Sequence, residues 1–140
     1  MKNRYVRGLL GFSVFCVILL GFRLCGWRDE VHFQNERAQR DALFSQEAFL
    51  LKALDEMERG AERDWLGEAA ERGLTGYASV RWDERYRGVY LMECQGFPAA
   101  SGILVTRECV DEVYDSTSQR VEVYGRGEEM YVYRLTYYWD

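Results

Sequence analysis

The chain has 140 residues, a formal net charge of −5, one proline, one histidine (His32) and four cysteines. Basic residues are interleaved with acids, so no cationic footprint for nucleic acid is present, and a lone histidine leaves little room for His-ligated metal or His-dependent catalysis. One small domain and a stalk are all that fit beside the apolar N-terminal run.

That run comes first. From Gly8 to Leu24 the only charge is Arg23. Seventeen helical residues at about 1.5 Å each reach roughly 26 Å, near a hydrocarbon core of about 30 Å. Arg23 has a long enough stem to place its guanidinium among headgroups, and Trp27 suits the same boundary. Gly8, Phe12, Phe15, Ile18, Leu19 and Leu20 are the anchor residues on this reading, with membrane lipid as their partner. A removable export signal has the same layout but ends on small residues; Phe22-Arg23-Leu24 ahead of Cys25 offers none. Leu24 likewise spoils a lipoprotein reading of Cys25. Lys2, Arg4 and Arg7 precede the run, whereas Arg23 and Arg28 after it are soon joined by Asp29 and Glu30. The basic bias predicts a cytoplasmic N-terminus, a single pass through the inner (cytoplasmic) membrane, and a periplasmic or extracellular C-terminal domain.

The expected organisation is a basic N-terminus over 1–7, a transmembrane helix over 8–25, a helical stalk over 26–75 and an antiparallel β domain over 76–140. Asp29 to Arg72 is rich in helix formers and free of proline. Leu43, Leu50, Leu54, Met57 and Ala61 fall along one helical face, widened by Phe44, Ala48 and Leu51. Glu36 before Arg40, Asp55 before Arg59 and Glu68 before Arg72 stand at the favourable four-residue offset. Gly26 and Gly60 are the expected weak points, and Gly73-Leu74 reads as a C-terminal cap with its apolar contact. The apolar face serves either core packing or a protein partner in the same membrane, including self-assembly.

After Gly76 the pattern changes to short β-branched and aromatic runs: Tyr77–Trp82, Gly88–Cys94, Gly102–Thr106, a segment near Val110–Tyr114, Arg120–Tyr124 and Met130–Trp139. Gly125-Arg126-Gly127 marks a tight hairpin between the last two. Tyr131, Tyr133, Leu135, Tyr137 and Trp139 share one face of the last strand, which either covers the helix or presents an aromatic interaction surface. The fold class is therefore α+β: an N-terminal transmembrane helix continuing into an amphipathic one, packed on a four- to five-stranded antiparallel sheet.

Cys16 reads as a small hydrophobe, and Cys25 as either a free thiol or a cross-link to a neighbouring copy. Cys94 and Cys109 fall in the outer domain, where an oxidising compartment predicts a disulfide worth about 3 kcal/mol. No C-x-x-C spacing supports zinc or thiol exchange. The serines and threonines lack an identifiable base, Asp111, Glu112 and Asp115 do not match a calcium loop, and Gly125-x-Gly127 stands in a hairpin where a nucleotide loop needs a helix. The sequence predicts no enzyme, no cofactor and no nucleic-acid partner, and leaves interaction roles.

An apolar N-terminal helix running into an amphipathic one, then an antiparallel sheet with a cysteine pair, resembles the type IV pilins and pseudopilins. Arg7-Gly8 places a basic residue before glycine, and Gly11-Phe12-Ser13 offers a Phe-Ser start; Ser13 or Cys16 stands where that family has glutamate. The resemblance implies a processed leader and a helix that packs a filament core, with the chain as a minor subunit. Two other roles fit the same layout. One is an accessory partner of a membrane-bound sensor or regulator, its aromatic strand face completing a shared ligand pocket. The other is a coiled-coil scaffold built on the Leu43–Ala61 stripe, which is short of sustained heptads.

Overall fold

A computed structural model describes the backbone over residues 2–96, 99–112 and 118–138, without the side chains of 2–11, 24–34 and 94–96. The described residues form three helices, α1 (Lys2–Ser45), α2 (Glu47–Glu58) and α3 (Trp65–Glu71). Five strands follow: β1 (Ser79–Asp83), β2 (Gly88–Gly96), β3 (Ala99–Thr106), β4 (Gln119–Arg126) and β5 (Tyr131–Tyr138). The class is α+β, as the sequence predicts. The chain divides into two units, Met1–Arg40 and Asp41–Asp140.

The first unit is helical throughout its described length and passes Gly26 without a break. The interruption comes later, at Gln46, which adopts φ −105° and ψ 25°. Two side-chain hydrogen bonds flank it, one local and one long-range. Ser45 Oγ donates to the Ala42 carbonyl at 2.7 Å, the back-bonding that bends helices, and Glu47 starts the next helix by accepting the Glu129 N–H at 2.8 Å.

The second unit holds α2 and α3 together with the sheet, so the stalk predicted over 26–75 is split between two units and its later part belongs to the domain core. α2 ends at Gly60 and α3 at Gly73, both with positive φ. In α3 the Gly73 N–H bonds the Ala70 carbonyl and the Leu74 N–H bonds that of Ala69, a Schellman ending with Leu74 buried beneath it. The predicted cap is present. At the other end Asp64 accepts the Gly67 N–H at 3.0 Å. Phe49 of α2 meets Trp65 of α3 with ring centroids 6.2 Å apart, and the Arg72 guanidinium lies 4.7 Å above Phe49.

All strand pairs are antiparallel in the order β1-β2-β3-β5-β4. The predicted segment near Val110–Tyr114 is not a strand over Val110–Glu112, and Val113–Tyr114 lie outside the described residues. The predicted hairpin between β4 and β5 is present, but its turn falls at 127–130, closed by the Gly127 N–H on the Met130 carbonyl at 2.9 Å, and Gly125 and Arg126 belong to β4.

Strand alternation sorts the sheet into two cores. Val89, Leu91, Ile103, Val105 and Val132 pack with Leu43, Phe49, Leu50, Leu54 and Trp65 from the helices. Tyr90, Met92, Leu104, Val121, Tyr133 and Leu135 make a second buried cluster on the opposite face. Each fully buried Leu, Ile or Val contributes about 1.5–3 kcal/mol, so both clusters weigh in the stability of the unit.

Candidate functional site

The first candidate is the apolar stretch of α1. Of the predicted anchor residues, Phe12, Phe15, Ile18, Leu19 and Leu20 are described and all are exposed, together with Val14, Val17 and Phe22; Gly8 lies outside the residues whose side chains are described. Exposed large side chains at 14, 15, 17, 18, 19, 20 and 22 go all the way round a 3.6-residue turn. An amphipathic helix leaves a polar face; here none exists between Phe12 and Phe22 except Ser13. Among the described residues no helix is long and apolar enough to cross a membrane. The described side chains, Phe12 to Arg23, cover only part of the predicted span 8–25.

The proposed helical interaction face has another place. Leu43, Leu50 and Leu54 are buried in the domain core, and Met57 is half-buried against it. The amphipathic stripe is turned onto the sheet by the hydrophobic effect, so Leu43, Leu50 and Leu54 offer no free surface to a partner. In two of the three expected helix pairs the acid has another partner. Asp55 pairs with Arg107 beyond β3 at 2.9 Å, and Glu68 pairs with Arg63, which also holds Glu56. The Arg63 guanidinium holds the exposed Glu56 carboxyl below its ordinary range, chiefly by hydrogen bonding.

The aromatic face of β5 is the second candidate. Tyr133 is buried, Tyr131 and Tyr137 are half-buried, and Trp139 lies outside the described residues. This face points away from the helices, and Val132 of the alternate set packs beneath them instead. The tyrosines are covered by the sheet itself. The Tyr137 hydroxyl donates to Asp83 Oδ2 at 2.6 Å. Asp83 is on β1 and Tyr137 on β5, three strand spacings away at about 4.8 Å each in a flat sheet. The bond requires the sheet to roll, with the tyrosine face inside.

Asp83 anchors that roll at both oxygens. Its Oδ1 accepts the N–H groups of Arg85 at 3.0 Å and Tyr86 at 3.2 Å, an Asx-type turn that reverses the chain into β2 through Arg87 at φ +47°. Tyr137 meets Tyr90 edge-to-face, centroids 5.9 Å apart at 88°. The Arg81 guanidinium lies 5.2 Å from the Tyr90 ring centroid. Burial pushes the Tyr90 phenol up to about 12, and burial together with the Asp83 hydrogen bond pushes Tyr137 up further. These phenols stay protonated at neutral pH and act as hydrogen-bond donors and ring faces. Asp83 and Tyr90 escape a reading by composition. The available signal is Asp83 opening a turn that closes at Gly88, a residue choice with a stated mechanism.

Cys109 is a free thiol. The predicted bridge to Cys94 is not formed. Cys94 is level with Ser101 of β3, and the Cys109 sulfur lies 3.9 Å from the Tyr133 hydroxyl. The Tyr133 hydroxyl is held in place by the Val110 N–H at 2.8 Å.

Two hollows adjoin α2. One of about 60 Å³ lies among Leu54, Trp82, Arg87 and Arg107, and an open trough of about 460 Å³ runs past Leu51, Lys52 and Arg59. Several of their charges are paired: Arg87 with Glu58 and Glu108, Arg107 with Asp55, Lys52 with Glu56. The smaller is far below the roughly 300 Å³ at which small-molecule sites begin. Among the described residues no group of three or more His, Cys, Asp and Glu side chains could hold a metal ion. No family model, no curated protein and no solved structure matches the chain.

Proposed function

We propose that this chain is a non-enzymatic, single-pass membrane protein whose N-terminal helix roots a small extracytoplasmic α+β domain for protein–protein interaction or envelope assembly. The observation that supports the reading is the all-round exposure of apolar side chains from Phe12 to Phe22. In the sequence this stretch is the greater part of a longer uncharged run, Gly8 to Phe22, with basic residues at 2, 4 and 7 on one side and Arg23 on the other. Leaving eight large apolar side chains in water forfeits about 1.5–3 kcal/mol apiece, and a bilayer removes that cost without any protein partner. Helical backbone satisfies its own hydrogen bonds there.

Assembly as a pilin-like minor subunit is the form of this reading that uses α1 both as anchor and as packing stem. The uninterrupted α1, Lys2–Ser45, has the length that such a stem needs. The test is alkaline extraction of membranes together with intact-mass measurement of the mature chain. Retention in the membrane pellet with residues removed up to Gly8 or Gly11 supports a processed stem. Retention with Met1 present supports an anchor and removes the pilin form. Full release into the supernatant overturns the membrane reading altogether.

A further inference from the structure

β4 forms one edge of the sheet. It ends the strand order, so among the described residues one side of its backbone has no neighbouring strand. The Val123 N–H points to that open side, because it bonds the side-chain Oε1 of Glu112 at 3.0 Å and not β5. Backbone direction repeats every two residues, so the Val121 N–H faces the same way. Val123 itself is 60 % exposed, an unusual position for a β-branched residue in a sheet whose other valines in β2, β3 and β5 are all buried. A register shift between Val123 and Gly125 bends the strand at this point. An exposed apolar residue on a free edge is a template for strand pairing, and here one carboxylate side chain occupies the hydrogen-bonding position that a partner strand would take.

We infer that the free edge of β4 is a strand-pairing surface masked by Glu112, and that its occupant is β4 of a second copy of this chain. The choice of occupant rests on charge. In a two-fold antiparallel pairing centred on Val121, Arg120 of one copy stands opposite Glu122 of the other, twice over. Centring on Val123 would set Arg120 against Arg126, and centring on Glu122 would set it against itself; both place like charges face to face. Within one chain Arg120 and Glu122 already pair at 2.9 Å, so the two side chains lie on the same face of the strand as the intermolecular pairing requires. Backbone hydrogen bonds supply the attraction in this arrangement, and the alternating charges set the register.

The experiment is sedimentation equilibrium of the full chain in density-matched detergent micelles, which accommodate the exposed apolar residues of α1. Glu112→Ala removes the mask and is expected to strengthen self-association by at least about tenfold over the unsubstituted chain. Adding Val123→Lys, a substitution at an exposed position that charges the edge, is expected to return the association to its original value. Arg120→Glu in the Glu112→Ala background places two acids opposite each other and is expected to weaken the pairing. An unchanged mass for Glu112→Ala across the concentration range overturns the inference. So does a dimer that survives both Val123→Lys and Arg120→Glu, since that dimer forms through another surface. Circular dichroism confirms that each variant retains its β content.

Discussion

Leu20 and Leu50 are the same residue in two helices of one chain, and they meet opposite fates: 64 % of Leu20 is exposed and 1 % of Leu50. The difference lies in their neighbours. Around Leu50 the apolar residues recur on one side, at 43, 50, 53 and 54, and Lys52, Glu56 and Arg59 occupy the other. That stripe has one place to go, against Val89, Leu91, Ile103 and Val105 of the sheet. Around Leu20 there is no second side. A helix that is apolar all round cannot be satisfied by packing one face, so the two helices solve the same problem with different surroundings, protein for one and, on the proposed reading, lipid for the other.

The sharpest way to break this comparison is to charge the N-terminal helix. Ile18→Asp with Leu19→Asp places two acids in its middle, and each costs about 2.5–3.5 kcal/mol at the centre of a span. The membrane-bound fraction is expected to fall to background on alkaline extraction. The unfolding midpoint of the Asp41–Asp140 unit is expected to stay where it is, because neither residue belongs to its core. Loss of both would mean that the apolar stretch supports the domain, and the distinction between the helices would fail.

The reciprocal substitution is Leu50→Ala. Truncating a fully buried leucine costs about 2–5 kcal/mol, read as a lowered urea midpoint, and is expected to leave membrane association untouched. A stable Leu50→Ala protein with altered oligomer size would restore Leu50 to the interaction face on which the stripe's spacing alone also allowed it to be placed.

These two regions also show what was legible in the sequence. Periodicity finds elements that are set locally: the helical stripe, the Gly73 ending, the five strands and the hairpin between β4 and β5 are all visible in residue order. It is silent on what those elements face, which depends on pairings between distant residues. The tyrosines of β5 do share a face, but it is the one away from the helices, where Tyr137 meets Asp83, fifty-four residues earlier. The Cys94–Cys109 pairing likewise depends on where distant residues come to lie, and Cys109 is a free thiol. The interruption at Gln46 has no glycine or proline to announce it. It is flanked by a contact between Glu47 and the β4–β5 hairpin, eighty-two residues away.

Within the domain the rolled face admits a finer test. Tyr137→Phe keeps the ring packed on Tyr90 and removes only the hydroxyl, leaving Asp83 Oδ2 buried with its partner lost. The expected cost is about 1–3 kcal/mol, the usual penalty for stranding a buried polar group. Asp83→Asn in the same background recovers part of it if the loss comes from an uncompensated charge, and none if it comes from the turn at Arg85 and Tyr86.

The smallest expected effect is also the most specific to this face, because it depends on pH. In the unfolded chain a tyrosine titrates near 10, while burial pushes Tyr90 up to about 12 in the fold and raises Tyr137 as well. Between those values the unfolded chain has released its proton and the native one has kept it. The native state then binds more protons, so stability falls as pH rises. For Tyr90 the contribution is fully present below about pH 10 and is lost progressively up to about pH 12, and Tyr137 acts in the same direction. Urea unfolding from pH 9 to 11.5 measures the slope, and Tyr137→Phe is expected to remove about one tyrosine's share of it. If the slope is the same in the variant, the Tyr137 hydroxyl ionises as freely in the native state as in the unfolded chain. The tyrosine face would then be open to water like Leu20, and the contrast between a self-covered sheet and an uncovered helix would not hold.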